Sequence, residues 1–228
     1  MHKTLSTLTF AALFSVAAFS QQDTQFQVRY AANLTAGDSV INITNTGANG
    51  ASLNGPGFGG AAGNICVNVY AFSPDEQLIS CCSCLITPNG LVSLSVNQDL
   101  VSNTLTGVRP DSVVIKLVNT LASAVVVGGG ATSCTNSAAL AGTTSFPIIG
   151  GMLAWGTTLH RGVPATTFAV TETAFIPATL AGGSAGLVVP FPVGSELASI
   201  TNRCTNIIGN GSTFGICRSC RSGGLRAE

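Results

Sequence analysis

Hydrophobic and polar residues alternate with a period of two in several short stretches, which is typical of half-buried β-strands. These stretches are separated by segments rich in Gly, Asn, Ser and Thr. The predicted strands outside the cysteine-rich region are Phe26–Tyr30, Val40–Thr44, Val113–Val118, Met152–His160 and Phe168–Phe175.

A β-meander is predicted at about residues 65–96. Strands at 65–72, 77–86 and 91–96 would be joined by turns at Ser73-Pro74-Asp75-Glu76 and Pro88-Asn89-Gly90. Proline favours the backbone angle of the second turn position, and Asn-Gly tolerates positive φ.

A single helix is predicted late in the chain, at about 196–208. Ser195 is a suitable N-cap, apolar residues recur on one helical face, and Asn210-Gly211 supplies a stop signal. The predicted fold is therefore mainly all-β, a β-sandwich-like domain over 21–228. The Gly/Ala/Ser-rich stretch 121–151 is a long loop or a linker.

The first twenty residues have the pattern of a signal peptide. A short positive start is followed by an apolar run and by small residues before a cleavage position near Ser20-Gln21. No later apolar run reaches the roughly 20 residues that a membrane span requires. The chain is expected to be secreted and extracellular, with the periplasm or the cell surface as further locations and no membrane span in the mature chain.

Eight cysteines remain after the signal peptide, and export predicts that they form disulfides. If the first hairpin turns at Pro74-Asp75, Cys66 lies nearly opposite Cys84 with Cys82 diagonal to it, so that the best single pair is Cys66 with Cys84 or Cys82. Cys81 would point to the other face, and the late cysteines would bridge to Cys134 or to the meander. The eight candidates are Cys66, Cys81, Cys82, Cys84, Cys134, Cys204, Cys217 and Cys220.

Two other kinds of cysteine chemistry remain as alternatives. Cys217-Arg218-Ser219-Cys220 has the spacing of a thiol oxidoreductase site, but few residues remain after it for the helix that such a site requires. The clustered cysteines could also supply four thiolates to a metal, although an oxidising compartment favours disulfides. No cofactor and no metal is predicted.

Catalytic motifs are matched only formally. Gly55, Gly57 and Gly60 fit a dinucleotide-binding pattern without the helix that must follow it, and residues 182–186 fit a hydrolase GxSxG pattern with no later histidine. His160 is the single histidine after residue 20, and Glu172 is an acid within a predicted strand. Nothing in the sequence pairs them, and no catalytic residue is predicted.

Three aromatic residues are candidates for contact with a ligand, since aromatic rings in strands can stack on sugars. They are Trp155, Tyr30 and Tyr70. Packing in the core is the alternative role for all three.

Charge is scarce and changes the functional picture. Charged residues are 8% of the chain, against roughly 25% in a typical domain, and the formal net charge is +0. This balance argues against nucleic acid as a partner. Lys116 is the only lysine after residue 20, so sheet edges lack the charges that usually prevent edge-to-edge pairing. A homo-oligomer, or donation of the N-terminal strand to a neighbour, is therefore expected.

One block of sequence resembles a group of uncharacterised secreted proteins of soil bacteria. It has the pattern C-x3-Y-x-F-x-P-D-E-Q from Cys66, followed by CCxC at 81–84 and PNG at 88–90. The resemblance implies export and a shared disulfide core, and no function.

The expected function is that of a secreted, non-catalytic structural, adhesive or extracellular-matrix protein, with surface or matrix components as partners. A glycan-binding module is the first alternative. A secreted hydrolase is the second, and it would require an acid and His160 in one cleft.

Overall fold

The fold is described by a computed structural model over residues 24–51, 63–122, 134, 148–164, 166–179 and 195–220. The predicted signal peptide lies outside these residues, as does most of the predicted loop or linker at 121–151. Across the described ranges, no helix has the length and apolarity needed to cross a membrane.

Nine strands and one α-helix make up the described fold. In chain order they are β1 (Phe26–Ala31), β2 (Val40–Asn45), β3 (Ile65–Phe72), β4 (Leu78–Ile86), β5 (Leu91–Ser95), β6 (Val113–Leu121), β7 (Met152–Arg161), β8 (Phe168–Ala174), β9 (Ile176–Pro177) and α1 (Glu196–Gly209). The strands predicted from alternation are all confirmed. The short β9 and a π-helical turn at Val96–Leu100 were not anticipated.

The strands form two antiparallel sheets, as the predicted sandwich requires. The first has the order β4-β3-β6-β1-β9, and the second has the order β5-β2-β7-β8. One buried cluster joins apolar side chains of both sheets, among them Ile43, Val69, Leu94, Ile115 and Met152. The core of the molecule is therefore the layer between the sheets.

The helix packs on the opposite face of the first sheet and forms a second core. Leu197, Ile200 and Ile207 are buried there against Tyr70 and Phe72. The Ser195 hydroxyl caps the helix by accepting from the Ala198 amide at 3.2 Å, which confirms the predicted start. Lys116 on β6 forms an ion pair with Glu196 in the first turn.

The predicted meander is correct for its first hairpin and wrong for its third strand. β3 pairs with β4, but β5 crosses to the second sheet and pairs with β2. Asn45, at the end of β2, contacts both sides of the crossing. Its side-chain amide donates to the carbonyl oxygen of Ile86, and its backbone carbonyl oxygen accepts from the backbone amide of Asn89 at 2.9 Å. These bonds attach the turn between β4 and β5 to the end of β2.

All eight cysteines form disulfides, and three of the four bridges connect β4 to the end of the chain. This agrees with the expected link between the late cysteines and the predicted meander. The pairs are Cys66–Cys134, Cys81–Cys204, Cys82–Cys217 and Cys84–Cys220.

The predicted pairing of Cys66 with Cys84 or Cys82 is wrong. The register places Cys66 opposite Leu85, while Val67 lies opposite Cys84, and a register shift falls between Ala71 and Phe72. A slip of one residue moves a side chain to the other face of a sheet. Cys84 therefore faces the core between the sheets, and Cys66 faces away from it and bonds to Cys134.

Candidate interaction site at the exposed edge strand

β8 is the most exposed strand of the described fold. All seven of its residues are exposed, including Phe168 at 52% and Val170 at 61%. Its alternating sequence favours a strand, and β7 provides its only strand partner among the described residues. Because an edge strand presents unpaired N–H and C=O groups, β8 is a candidate site for pairing with another chain.

Two hydrogen bonds determine which backbone groups of β8 point outward. The backbone amide of Gly162 donates to the backbone carbonyl oxygen of Thr167 at 2.8 Å. The backbone amide of Phe175 donates to the backbone carbonyl oxygen of Ala154 at 2.8 Å. In an antiparallel ladder, bonded and non-bonded pairs alternate. The backbone N–H and C=O groups that point away from β7 therefore belong to Phe168, Val170, Glu172 and Ala174.

The edge of β4, by contrast, is covered by the end of the chain. The backbone amide of Cys81 donates to the carbonyl oxygen of Gly215 at 2.9 Å, and the carbonyl oxygen of Cys81 accepts from the amide of Cys217 at 3.2 Å. The amide of Leu105 also bonds to the Ile79 carbonyl at 2.9 Å. At Ile79 and Cys81 this edge is therefore covered by backbone hydrogen bonds, and the segment that supplies two of them is joined to β4 by the Cys82–Cys217 disulfide.

The remaining edges are short or capped. The outward amide of Ser95, the last residue of β5, donates to the Asp99 carboxylate at 2.8 Å. β9 has two residues, of which Pro177 lacks an N–H. Within the described residues, β8 is thus the longest open edge.

A buried arginine connects the base of the β7–β8 hairpin to the first sheet. The Arg29 Nη2 donates to the Gly156 carbonyl at 2.8 Å and to the Thr158 hydroxyl at 2.9 Å. Its Nη1 donates to Ser39 at 3.2 Å, and its Nε donates to Thr173 at 3.4 Å. Burial lowers the pKa of Arg29 from its ordinary value. These bonds hold the hairpin in a defined position while its outer strand stays exposed.

The histidine and the strand acid noted in the sequence, His160 and Glu172, lie on this hairpin but are not brought together. His160 points to the same face as Thr171, whose hydroxyl lies 2.9 Å from Nε2. Glu172 follows Thr171 in β8 and so points to the opposite face. Glu172 and His160 therefore lie on opposite faces of the hairpin and do not form the acid–histidine pair that the hydrolase alternative requires.

The three aromatic candidates are also separated. Trp155 lies on β7 in the second sheet and is half-buried, whereas Tyr30 lies on β1 in the first sheet and is 60% exposed. Tyr70 is fully buried below α1. They do not form one sugar-stacking platform.

The disulfide connectivity bears on the two alternative roles of the cysteines, a thiol oxidoreductase site and a four-thiolate metal site. Cys217 bonds to Cys82 and Cys220 bonds to Cys84, so the CxxC sequence is not a redox pair. The sulfurs that a four-thiolate metal site would use are all in disulfides. No cluster of three metal-ligating side chains occurs in the described part of the chain. The formal motifs at Gly55–Gly60 and at 182–186 lie outside it.

A shallow groove of about 370 Å³ lies beside α1, where the helix meets the start of β4. Its lining combines residues that carry amide or guanidinium groups with apolar residues. Its lining residues are Gln77, Leu78, Leu105, Arg203, Asn206, Ile207 and Asn210.

The sequence predicted β8 as a strand but did not predict that it is an open edge. Strand order depends on contacts between distant residues, and the alternation of β8 resembles that of internal strands. The signal in the sequence for an exposed strand was the charged Glu172 on the same face of the strand as Phe168 and Val170.

No protein-family model, no curated protein and no solved structure matches this chain.

Proposed function

We propose that the protein is an exported, non-catalytic structural component that associates with itself outside the cell. The observation that carries this proposal is the open edge of β8, seven exposed residues of which only Glu172 is charged. An exposed, apolar edge without lysine or proline favours pairing with another strand.

The disulfides support the extracellular part of the proposal. Four bridges consume every cysteine, and such bonds persist in oxidising compartments rather than in the cytosol. They also support a structural role, since the covalent links hold a fold whose described residues contain a single ion pair.

The export step is tested with the full-length chain produced through a secretory route. Intact mass of the protein from the medium should correspond to a chain that begins at Gln21 and has no free thiol. Retention of residues 1–20, or eight titratable thiols, would contradict export and the disulfide framework.

Self-association is tested on the oxidised protein by light scattering after size exclusion, over a concentration series from about 1 to 500 μM, which spans the micromolar affinities of weak complexes. The wild type should change from monomer to a larger species as concentration rises. A strictly monomeric protein at the highest concentration would overturn the proposal.

Val170→Pro is the variant that reports on the edge, and Val170→Thr is its matched control. The Val170 N–H points away from β7, so proline at this position leaves the β7–β8 ladder intact while it removes an outward donor. We expect the proline variant to stay monomeric at the highest concentration and the threonine variant to associate.

A glycan-binding role is the second candidate, and the groove beside α1 is the observation that favours it. Gln77, Asn206 and Asn210 offer amides to hydroxyl groups, and Leu78 and Leu105 offer an apolar floor. Isothermal titration against soluble polysaccharides, with Asn206→Ala as the comparison, tests this role. Absence of binding, or equal binding by the variant, removes this groove as a glycan site.

A further inference from the structure

We propose that β8 pairs with β8 of a second copy of the chain, antiparallel and with the two-fold axis at Thr171. This joins two four-stranded sheets into one continuous sheet of eight strands. The inference rests on the proposed self-association and names the surface and the register that produce it.

The outward backbone groups select the register. If Phe168 lies opposite Ala174 of the second copy and Val170 lies opposite its Glu172, all four outward residues of each strand are paired. Each such pair exchanges two hydrogen bonds, so the interface contains about eight. If the second strand is shifted by two residues in either direction, only three of these four hydrogen-bonded pairs remain.

Charge favours the same register. A shift in one direction places Glu172 opposite Glu172 of the second copy, and like charges directly opposite each other are destabilising. In the proposed register each Glu172 faces Val170 instead. The full chain has a formal net charge of +0, and loss of residues 1–20 removes only the charge of Lys3, so two mature copies approach with little long-range repulsion.

The side chains on the outer face complement each other in this arrangement. Ala174 lies opposite Trp155 within one chain. Phe168 of the second copy would lie on the other side of the same Ala174, whose small side chain leaves space for the phenyl ring to approach the indole. Aromatic pairs of this kind stabilise beyond their buried area. The two-fold axis produces this contact twice and covers the exposed Phe168.

A second copy fits better than an unrelated strand because the match is self-complementary. The largest outward side chain, Phe168, meets the smallest, Ala174, and the single charge meets an aliphatic residue. An isologous interface requires this kind of symmetry in one surface patch.

The register is tested with one introduced thiol, since all native cysteines are already in disulfides. At Thr171 the two copies would lie directly opposite each other as a non-hydrogen-bonded pair, with Cα atoms about 4.5 Å apart, a separation that a disulfide can span. Thr171→Cys should therefore give a covalent dimer on non-reducing gels. Peptide mapping should find the new bond between the two introduced thiols.

Ala169→Cys is the matched control, because it is exposed on the same face of the same strand. In the proposed register Ala169 lies opposite Thr173 of the second copy, so two thiols at 169 are too far apart to bond. We expect a covalent yield at least tenfold lower than for Thr171→Cys.

The outcomes separate the inference from the proposed function. If the wild type associates but Thr171→Cys cross-links no better than Ala169→Cys, the β8 register is wrong and self-association through another surface stands. If the wild type is monomeric at all concentrations, both are wrong. If the wild type remains monomeric but binds an added peptide strand at β8, the edge is used by a different partner and the self-pairing inference is overturned.

Discussion

Single residues illustrate how a chain with few charges uses those it has. Asp111 accepts hydrogen bonds from the backbone amide of Thr35 at 2.8 Å and from its hydroxyl at 2.6 Å. These bonds, first the side-chain one and then the backbone one, lower the pKa of Asp111 although the carboxylate is exposed. The loop after β1 is thereby attached to the start of β6.

We expect Asp111→Asn to lower the melting temperature at neutral pH and to have no effect in strong acid. Because the pKa of Asp111 is lower in the folded state, its stabilisation is present above the unfolded pKa of about 3.9. It is lost as pH falls through the lower, folded value. Thermal melts of both proteins from pH 7 to pH 2 provide the measurement, and a gap that persists at the acidic end would contradict this role.

Tyr70 presents the reverse situation, a polar group buried without benefit. Its ring is fully buried in the second core, and its hydroxyl has no hydrogen-bond partner among the described residues. Burial raises the pKa of this phenol well above its ordinary value. We therefore expect the ring of Tyr70 to stabilise the fold and its hydroxyl to contribute no stability.

Tyr70→Phe should leave the free energy of unfolding unchanged or raise it by about 1 kcal/mol, since an unpaired buried hydroxyl is removed. Tyr70→Ala should lower it by about 3–5 kcal/mol because a cavity replaces the ring. Denaturant titrations of both variants measure these changes. A large loss in the phenylalanine variant would reveal a hydrogen bond to this hydroxyl.

At the scale of elements, alternation and capping signals were sufficient to predict the strands and the helix. Val113–Leu121 and Met152–Arg161 alternate because one face of each meets the core, and Ser195 caps α1 as its position suggested. Pairing between elements could not be predicted in the same way. The Cys66 assignment failed through one residue of register, and the start of β5 lies beside Asn45, which is hydrogen-bonded to Ile86 across 41 residues of sequence.

The candidate site shows the same division. The sequence marked Phe168–Phe175 as a strand and Glu172 as a residue of interest within it, and the scarcity of lysine suggested unprotected edges. Whether a particular strand lies at an edge depends on which strands flank it. For β8 this follows from β9, the next strand, which crosses to the first sheet and pairs with β1, so that no described strand lies on the outer side of β8.

The three bridges on β4 should stabilise the fold in a strongly context-dependent way. Removing Cys81–Cys204 while the other two remain should cost about 3 kcal/mol, since Cys82–Cys217 leaves a loop of only about 15 residues to close. Removing the same bridge after the other two have been removed should lower the free energy of unfolding by about 5 kcal/mol, since it then closes a separation of 123 residues.

Alanine pairs at each bridge, compared by denaturant unfolding, provide the measurement. The packing lost at Cys81 and Cys204 is the same in both orders, so the difference reports on the cross-link alone. Equal costs in the two orders would contradict the loop-closure explanation.

At the scale of the whole molecule, the two sheets differ in what they offer to other chains. Among the described strands, the second sheet ends in the open β8, while the first ends in β4, whose edge at Cys81 is covered by the segment that carries Cys217. In the oxidised protein, the proposed two-fold register at β8 would give a closed pair.

If β8 pairs with β8 of a second copy as proposed, the disulfides on β4 would control how many neighbours each molecule can join. While they are intact, each molecule would then have one neighbour, and growth would stop at the dimer. Mild reduction that releases residues 215–217 would uncover β4 and raise the number of neighbours to two, so that the same pairing chemistry produces filaments. We expect electron microscopy to show fibres of the reduced wild type and none of reduced Val170→Pro, in which β8 remains blocked. The redox state of the surroundings would thus decide whether this protein forms closed dimers or filaments.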